Sequence, residues 1–351
     1  MTRRDWCCVA MGGAAVRGFG AAPVRAAVVG TAHGHAVSKI RALRRLPGFE
    51  LAGVCRPDTE EPDLRELFPD VRRLSLDEVL GDESIELVAI ETRIERNLDY
   101  AEKCVAAGKY VHLDKPPGAD LARLRALFEE AVRRRRVVQI GYQWRYHPAM
   151  QMAIDAARKG WLGQLYAMRA SIDKPLSPGE RSQLAKFRGG IMFGEGCHLI
   201  DRAVDLFGKP ARVSSFLRHH SATNDALADN TLAILEYDRA IAEIYMAGFQ
   251  PHGNRYRSLE ICGTNGKAIV QPFAPLRLAV DLKDAAGPYR SGEQILEPPE
   301  PPGPAYGPDF TEMGRIIRDG LKPSYSPEHD LIVQETLLAA CGVTGAAAER
   351  V

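Results

Sequence analysis

Cysteine pairs at redox or metal-binding spacing are missing from this 351-residue chain. Its seven cysteines include no Cys-x-x-Cys pair. A disulfide framework and a zinc site are therefore not expected, and we assign no metal ligands. Charge of one sign is missing too. Forty-six Lys and Arg stand against 45 Asp and Glu, a net +1. No basic field results, which argues against a general nucleic-acid binder. The one basic run, Arg133 to Arg136, closes an amphipathic helix, where cations suit the negative end of the dipole. Apolar runs long enough to span a bilayer are also absent, so stable membrane insertion is not expected. No internal repeat is visible. The length suits two domains.

The start of the chain has its own pattern. Arg3-Arg4 is followed by an uncharged Gly- and Ala-rich segment, Trp6 to Val16, and then by the small residues Gly20-Ala21-Ala22. Basic, apolar, small is the order of a secretory signal, and the arginine pair points to the bacterial twin-arginine route. Residues 1–22 are expected to be a leader, and the protein to be periplasmic. Arg17 and Pro23 fit such a signal poorly, and a cytoplasmic protein with a disordered leader is the alternative.

Residues 23–147 read as alternating strands and helices. Val24 to Gly30 is a buried strand, Gly30-Thr31-Ala32-His33-Gly34-His35 a turn, and Ala36 to Arg45 a helix. Strand, glycine turn and helix suit a dinucleotide phosphate site. The glycines depart from G-x-G-x-x-G, with Ala32 and His35 at the second and third places. His33 and His35 are expected to bond backbone near the phosphates rather than a metal. Glu50 to Cys55 is the next strand, ending in Arg56-Pro57-Asp58. A guanidinium there suits the 2′-phosphate of NADP; Asp58 gripping a ribose would mean NAD instead. Later come a short strand Val71 to Leu74, a capping box at Ser75, a strand ending at Glu91-Thr92 and a helix from Arg93 to Ala107. Then follows Gly108-Lys109-Tyr110-Val111-His112-Leu113-Asp114-Lys115-Pro116-Pro117: a helix stop, a strand, and a lysine held between an acid and two prolines. The carboxyl ends of such strands are where ligands sit. A helix over 120–133 and a strand over 137–141 lead to Tyr142-Gln143-Trp144-Arg145-Tyr146-His147, a polar ligand wall or a packed junction.

From Gln164 the pattern turns to strands with few helices between them: 165–172, 212–219, 229–237, 241–249, 257–262 and 267–271. A mainly antiparallel open sheet is expected within residues 148–351. Gly189-Gly190-Ile191-Met192-Phe193-Gly194-Glu195-Gly196-Cys197-His198-Leu199-Ile200-Asp201 interrupts it, placing His198 and Asp201 on one helix face. Cys197 reads as packing rather than as a nucleophile. Proline-dense 298–308 reads as a loop or flap, and 309–319 and 326–340 as closing helices. The fold class is α/β: a Rossmann-type doubly wound parallel sheet followed by an α+β domain with an open, mainly antiparallel sheet.

Over about residues 24–345 the chain resembles the glucose–fructose oxidoreductase, inositol dehydrogenase and MocA (Gfo/Idh/MocA) family, through GKYVHLDKPPG, GGIMFGEGCHLID and PSYSPEHDLIVQETLLAACG. The resemblance implies an NAD(P)-dependent dehydrogenase of sugars, cyclitols or their derivatives. It also implies an open sheet that often faces a neighbouring subunit, hence a homodimer or homotetramer. Some members are exported holding NADP, which would agree with Arg3-Arg4 and Arg56. Lys115 matches the family's lysine between cofactor and substrate, and His198 its active-site histidine. The family's acid falls at Gly194 here, so Glu195, one place later, is the candidate. Arg145 and Tyr146 match the sugar pocket, and Asp201 joins them as a substrate-side candidate or an orienter of His198. Gly30, Thr31, Ala32, His33, His35, Arg56, Thr92, Asp114 and Lys115 are the cofactor candidates. The chemistry needs a base as hydride leaves a carbinol. His198 titrates near neutrality, and a desolvated Lys115 is expected to have a lowered pKa. Two alternatives use the same fold: glycoside cleavage by transient oxidation, and nucleotide binding without turnover.

Overall fold

The computed structural model describes residues 22–301 and 303–343; the leader expected over 1–22 lies, but for Ala22, outside the described residues. Six short strands come first: β1 (Val24–Val29), β2 (Phe49–Cys55), β3 (Arg73–Leu74), β4 (Leu87–Ile90), β5 (Tyr110–Leu113) and β6 (Val138–Ile140). All pair in parallel, in the order β3-β2-β1-β4-β5-β6. This is the doubly wound order expected of a dinucleotide-binding sheet, and its direction reverses between β1 and β4. β1 and β4 are buried on both faces, which explains their unbroken apolar runs. Helices α1 (Ala36–Arg45), α2 (Leu76–Gly81), α3 (Asn97–Ala106) and α4 (Leu121–Arg133) make the crossovers. Ser75 caps α2 in a full capping box, and Asp120 caps α4 by accepting from the Arg123 amide at 2.9 Å. Gly108 stops α3 with φ +76°. α3 starts four residues later than expected, after a 3₁₀ turn at Ile94–Arg96.

The second sheet has eight strands. They are β7 (Leu165–Asp173), β8 (Arg212–Arg218), β9 (Asn230–Glu236), β10 (Ile241–Ala247), β11 (Ser258–Gly263), β12 (Gly266–Val270), β13 (Leu278–Leu282) and β14 (Gly292–Leu296). Their order is β14-β13-β12-β11-β7-β10-β9-β8, antiparallel except where β7 meets β10. β13 and β14 were not expected, because each is short and lies beyond the prolines at 272 and 275. Helices α5 (Pro148–Arg158), α6 (Pro178–Leu184), α7 (Cys197–Phe207), α8 (Gly307–Asp319) and α9 (Pro327–Ala340) complete the fold. α5 and α7 pack on the sheet face that buries Met168, Ala170, Ile172, Ile244 and Leu259. On the other face Phe216, Ile241 and Ile295 are about half exposed. α8 returns to the first sheet, where its Phe310 and Met313 join the cluster of Val24, Ala26 and Val28. A division at residue 147 therefore separates the sheets but leaves α8 with the first of them.

A buried ion network ties β6's exit to the closing helices. Arg145 donates to Asp201 of α7 (2.7 Å) and to Asp330 of α9; Asp201 also pairs with Arg202 and with His329 at 2.9 Å. Arg145, Asp201, Arg202 and Asp330 are nearly inaccessible. Burial alone would push the Asp201 carboxyl up, but Arg145 and Arg202 hold it well below the usual range. Removing one partner strands a buried charge. Asp201→Asn should therefore cost about 3–5 kcal/mol in denaturant unfolding. A depressed carboxyl stabilises above its unfolded pKa of ~3.9 and loses that contribution as pH falls below it. The wild type should thus weaken more steeply below about pH 4 than Asp201→Asn does.

Candidate active site

The ends of β1 and β4 nearly touch. A Cβ on Gly30 would lie 2.5 Å from the Thr92 amide nitrogen, and Gly30 has φ +96°, so only glycine fits. The turn that follows lies where a dinucleotide phosphate would meet the start of α1. Its groups are already engaged. The Thr31 amide donates to the Glu61 carboxylate at 2.8 Å, and the Thr31 hydroxyl to the Pro62 carbonyl at 2.7 Å. The His33 amide donates to the Glu91 carbonyl at 3.0 Å. Beyond Ala32, Gly34 is open, and an added Cβ there would meet nothing within 4 Å. His35 occupies the N-cap of α1 without making a side-chain cap.

The histidine rings bond backbone only in part as expected: His33 Nδ1 accepts from the His35 amide at 3.4 Å, while the His35 ring goes to a carboxylate instead. Both aim Nδ1 at Asp114, at 2.5 Å from His33 and 3.1 Å from His35. The reason lies below them. Asp114 is fully buried at the end of β5, and a buried carboxylate recruits every donor in reach. Lys39 of α1 is a third partner, 3.3 Å from Asp114 and paired more closely with Glu91 at the end of β4. Burial works against the charge of Asp114, yet His33 and Lys39 hold its carboxyl well down. Burial and the neighbouring Asp114 push Glu91 up, and burial takes His35 down to about 4. His33, His35 and Asp114 bring ligand atoms within 4.8 Å of one another, as a metal site would. The Lys39 ammonium, however, already supplies the positive charge there. Sequence reading missed Lys39, although it shares the buried stripe of α1 with Ala36, Ile40 and Leu43.

Arg56 lies at the end of β2 on a cavity of about 170 Å³, shared with Thr31, Arg65 and Arg73. Its guanidinium donates to the Glu61 carbonyl at 3.1 Å and lies 3.9 Å from Asp63, leaving part of its fork open. Asp58 instead accepts from the Tyr100 hydroxyl at 3.4 Å. The glycine-only contact at Gly30, the open Gly34 and this cation-lined cavity form a cradle that fits a dinucleotide.

Lys115 follows Asp114 at the mouth of the crevice, 4% exposed, and its peptide bond to Pro116 is cis. Its Nζ donates to the Gly194 carbonyl at 3.1 Å and to Glu195 at 3.4 Å. The displaced acid is explained here. Residues Met192–Gly196 form a π-helical turn rather than an α-helical one, which re-phases the side chains before α7. A Cβ at Gly194 would strike Leu184 at 2.5 Å, while Glu195 faces Lys115. Lys174, just past β7, clasps the other Glu195 oxygen at 3.1 Å. No sequence motif marks Lys174; register alone brings it in. Burial by itself would lower the Lys115 pKa, but Glu195 foremost outweighs it and the pKa is raised, contrary to expectation. Lys115 is an ammonium at neutral pH. His198 is 2% exposed in the first turn of α7 and stacks on Trp144 at 4.5 Å between ring centroids. Burial, then Lys115, holds its pKa well below normal, so it is neutral, and its Nδ1 has no hydrogen-bond partner among the described residues. Burial takes the Cys197 thiol up to about 12, consistent with a packing role.

The three substrate-side candidates part company. Arg145 and Asp201 were expected at the pocket but are spent on one another and on Asp330, and Asp201 makes no hydrogen bond to His198. Tyr146 does line a cavity, of about 320 Å³, with Trp144, His147 and the proline-dense segment around Tyr306. Tyr306 closes that cavity toward the crevice, its ring 5.2 Å from that of His35.

Two family models match: the NAD-binding Rossmann fold of the Gfo/Idh/MocA oxidoreductase family over residues 24–142, and the Gfo/Idh/MocA C-terminal domain over 150–269. An uncharacterised oxidoreductase of Schizosaccharomyces pombe is 29% identical over 56% of this chain and 55% of its own length. The chain thus spans about half the length of the curated relatives it first matches. The trans-1,2-dihydrobenzene-1,2-diol dehydrogenase of Bos taurus is 26% identical over 73% of this chain and 70% of its own. An oxidoreductase from Agrobacterium radiobacter, solved with NAD+, L-tartaric acid and magnesium, shares the fold at a TM-score of 0.77 and 17% identity, covering 91% of this chain and 96% of that one. With both halves matched and the doubly wound sheet in place, this chain belongs to the Gfo/Idh/MocA family of oxidoreductases.

Proposed function

We propose that the protein is a dehydrogenase that prefers NADP to NAD and oxidises a hydroxyl carbon of a sugar, cyclitol or related polyol. The observation that carries this reading is the convergence of Lys115, Glu195 and His198 at the carboxyl end of the parallel sheet, beside a cradle that fits a dinucleotide. A nicotinamide bound there would supply the hydride acceptor. The chain's own residues then divide the proton work. Glu195 keeps Lys115 charged, so its ammonium donates to the substrate hydroxyl and favours the developing alkoxide. His198, neutral and with Nδ1 uncommitted, takes the hydroxyl proton. Trp144 fixes its ring plane by stacking. Arg56, with Arg65 and Arg73 on the same cavity, supports a 2′-phosphate, and Asp58 is turned to Tyr100 rather than to a ribose.

Export and assembly belong to the same reading. Arg3-Arg4 and the apolar segment after it support passage through the twin-arginine route into the periplasm. The open sheet face carrying Phe216, Ile241 and Ile295 supports a homodimer or homotetramer.

Denaturing the purified protein and identifying any released nucleotide by mass spectrometry tests the cofactor directly. NADP(H) is expected; NAD(H) would overturn the role given to Arg56. On a turned-over polyol, Lys115→Met should cut kcat about 10²–10⁴-fold. Wild-type turnover in that variant would remove the mechanism. Because His198 is held below its ordinary value, kcat/KM should stay flat through neutrality and fall only below about pH 6.5. An acid limb centred at or above that value would exclude a buried neutral His198 as the base.

A further inference from the structure

Among the described residues, Arg257 is a cation near Glu195 without a hydrogen-bond or ion-pair partner. It lies between a 3₁₀ turn (Gly253–Arg255) and the start of β11, and it is partly buried. That turn is pressed on the end of β7: a Cβ on Gly253 would come within 2.4 Å of the Asp173 carbonyl carbon. Ser258 is in register with Ser171, so Arg257 falls opposite the end of β7, with Asp173 near enough to act on its charge. Among the described residues its side chain makes no hydrogen bond and no ion pair, and its Nε is buried without a partner. Burial lowers its pKa, and Glu195, then Asp173, are the carboxylates that oppose this from beyond ion-pair distance. Lys174, by contrast, is spent on Glu180 at 2.7 Å and Glu195 at 3.1 Å. A buried guanidinium nitrogen left unpaired is costly, so the position has a use for an incoming acceptor.

We propose that Arg257 receives a carboxylate carried by the substrate, next to the hydroxyl that reacts at Lys115 and His198, so that the substrate class is an acidic polyol such as an aldonate rather than a neutral sugar. This rests on the dehydrogenase reading for the reaction, though not for the binding. One planar fork matches the two oxygens of one carboxylate. A phosphate dianion would call for a second uncommitted cation, and Lys174 is not one.

The full chain with its bound nucleotide is titrated calorimetrically with D-gluconate, with D-glucitol, which has a hydroxymethyl in place of the carboxylate, and with glucitol phosphate. Gluconate should bind at least 10-fold more tightly than glucitol. Arg257→Gln should erase that difference, and Arg257→Lys should keep part of it. Circular dichroism and retained nucleotide report whether the variants are folded. Equal binding of gluconate and glucitol, no measurable gluconate binding, a preference that survives in Arg257→Gln, or tighter binding of glucitol phosphate each overturns the proposal. Nicotinamide reduction is followed separately with the same compounds. A carboxylate preference without hydride transfer would sink the dehydrogenase reading and leave the subsite standing. Turnover of glucitol as efficient as that of gluconate would do the reverse.

Discussion

A lysine ammonium cannot be buried alone, and the arrangement of this protein around Lys115 follows from that. Lys115 stands just past the end of β5 in the first sheet, and its carboxylate partner, Glu195, stands in the turn before α7, 80 residues later in the chain. The pair forms only when the second half of the chain docks against the end of the parallel sheet. Docking then excludes water from the pair, and the low dielectric that makes an unpaired ammonium costly makes the paired one strongly charged. The same contact therefore joins the two halves and keeps Lys115 an ammonium. Lys174 steadies Glu195 from the other side, so the carboxylate cannot swing away without leaving two cations behind.

The crevice between β1 and β4 is governed by a second set of buried charges. Asp114, Glu91, Lys39, His33 and His35 form one connected group of buried and half-buried charges. This group stands where the third glycine of a dinucleotide turn would otherwise allow close packing. The altered turn is thus no simple loss. His35 fills the space, and its ring is held by Asp114 below and Tyr306 above. Glu61 reaches the Thr31 amide from the loop after β2, so a nucleotide phosphate that needs that donor has to compete with a carboxylate already bonded to it.

Much of this was legible in the sequence. Strand, glycine turn and helix at 24–45, the alternation that follows, and the change to strands after Gln164 reflect local periodicity, which survives folding because each element buries one face or two. Lys115, His198 and Glu195 could be singled out because special backbone chemistry surrounds them: prolines after the lysine, glycines before the histidine. The acid one place away from Gly194 could be seen, but the π-helical turn that aims it could not. Leu184 of another helix packs so closely on Gly194 that a side chain there would strike it, a contact no local pattern reveals.

What the sequence determined by itself was the order of elements, the parallel and mainly antiparallel character of the two sheets, and which residue types stand at strand ends. These depend on neighbours within a few positions. Tertiary structure alone decided the partners of the charges. Arg145 and Asp201, adjacent to the expected pocket in sequence terms, found each other and Asp330 across three elements and became a buried tie. Lys39, Lys174 and Arg257 carry no motif, yet register and docking bring them to the site. The physical reason is range. Backbone propensity acts over one turn or one strand, whereas a buried charge takes whichever opposite charge the packed fold places within about 4 Å, from any distance along the chain.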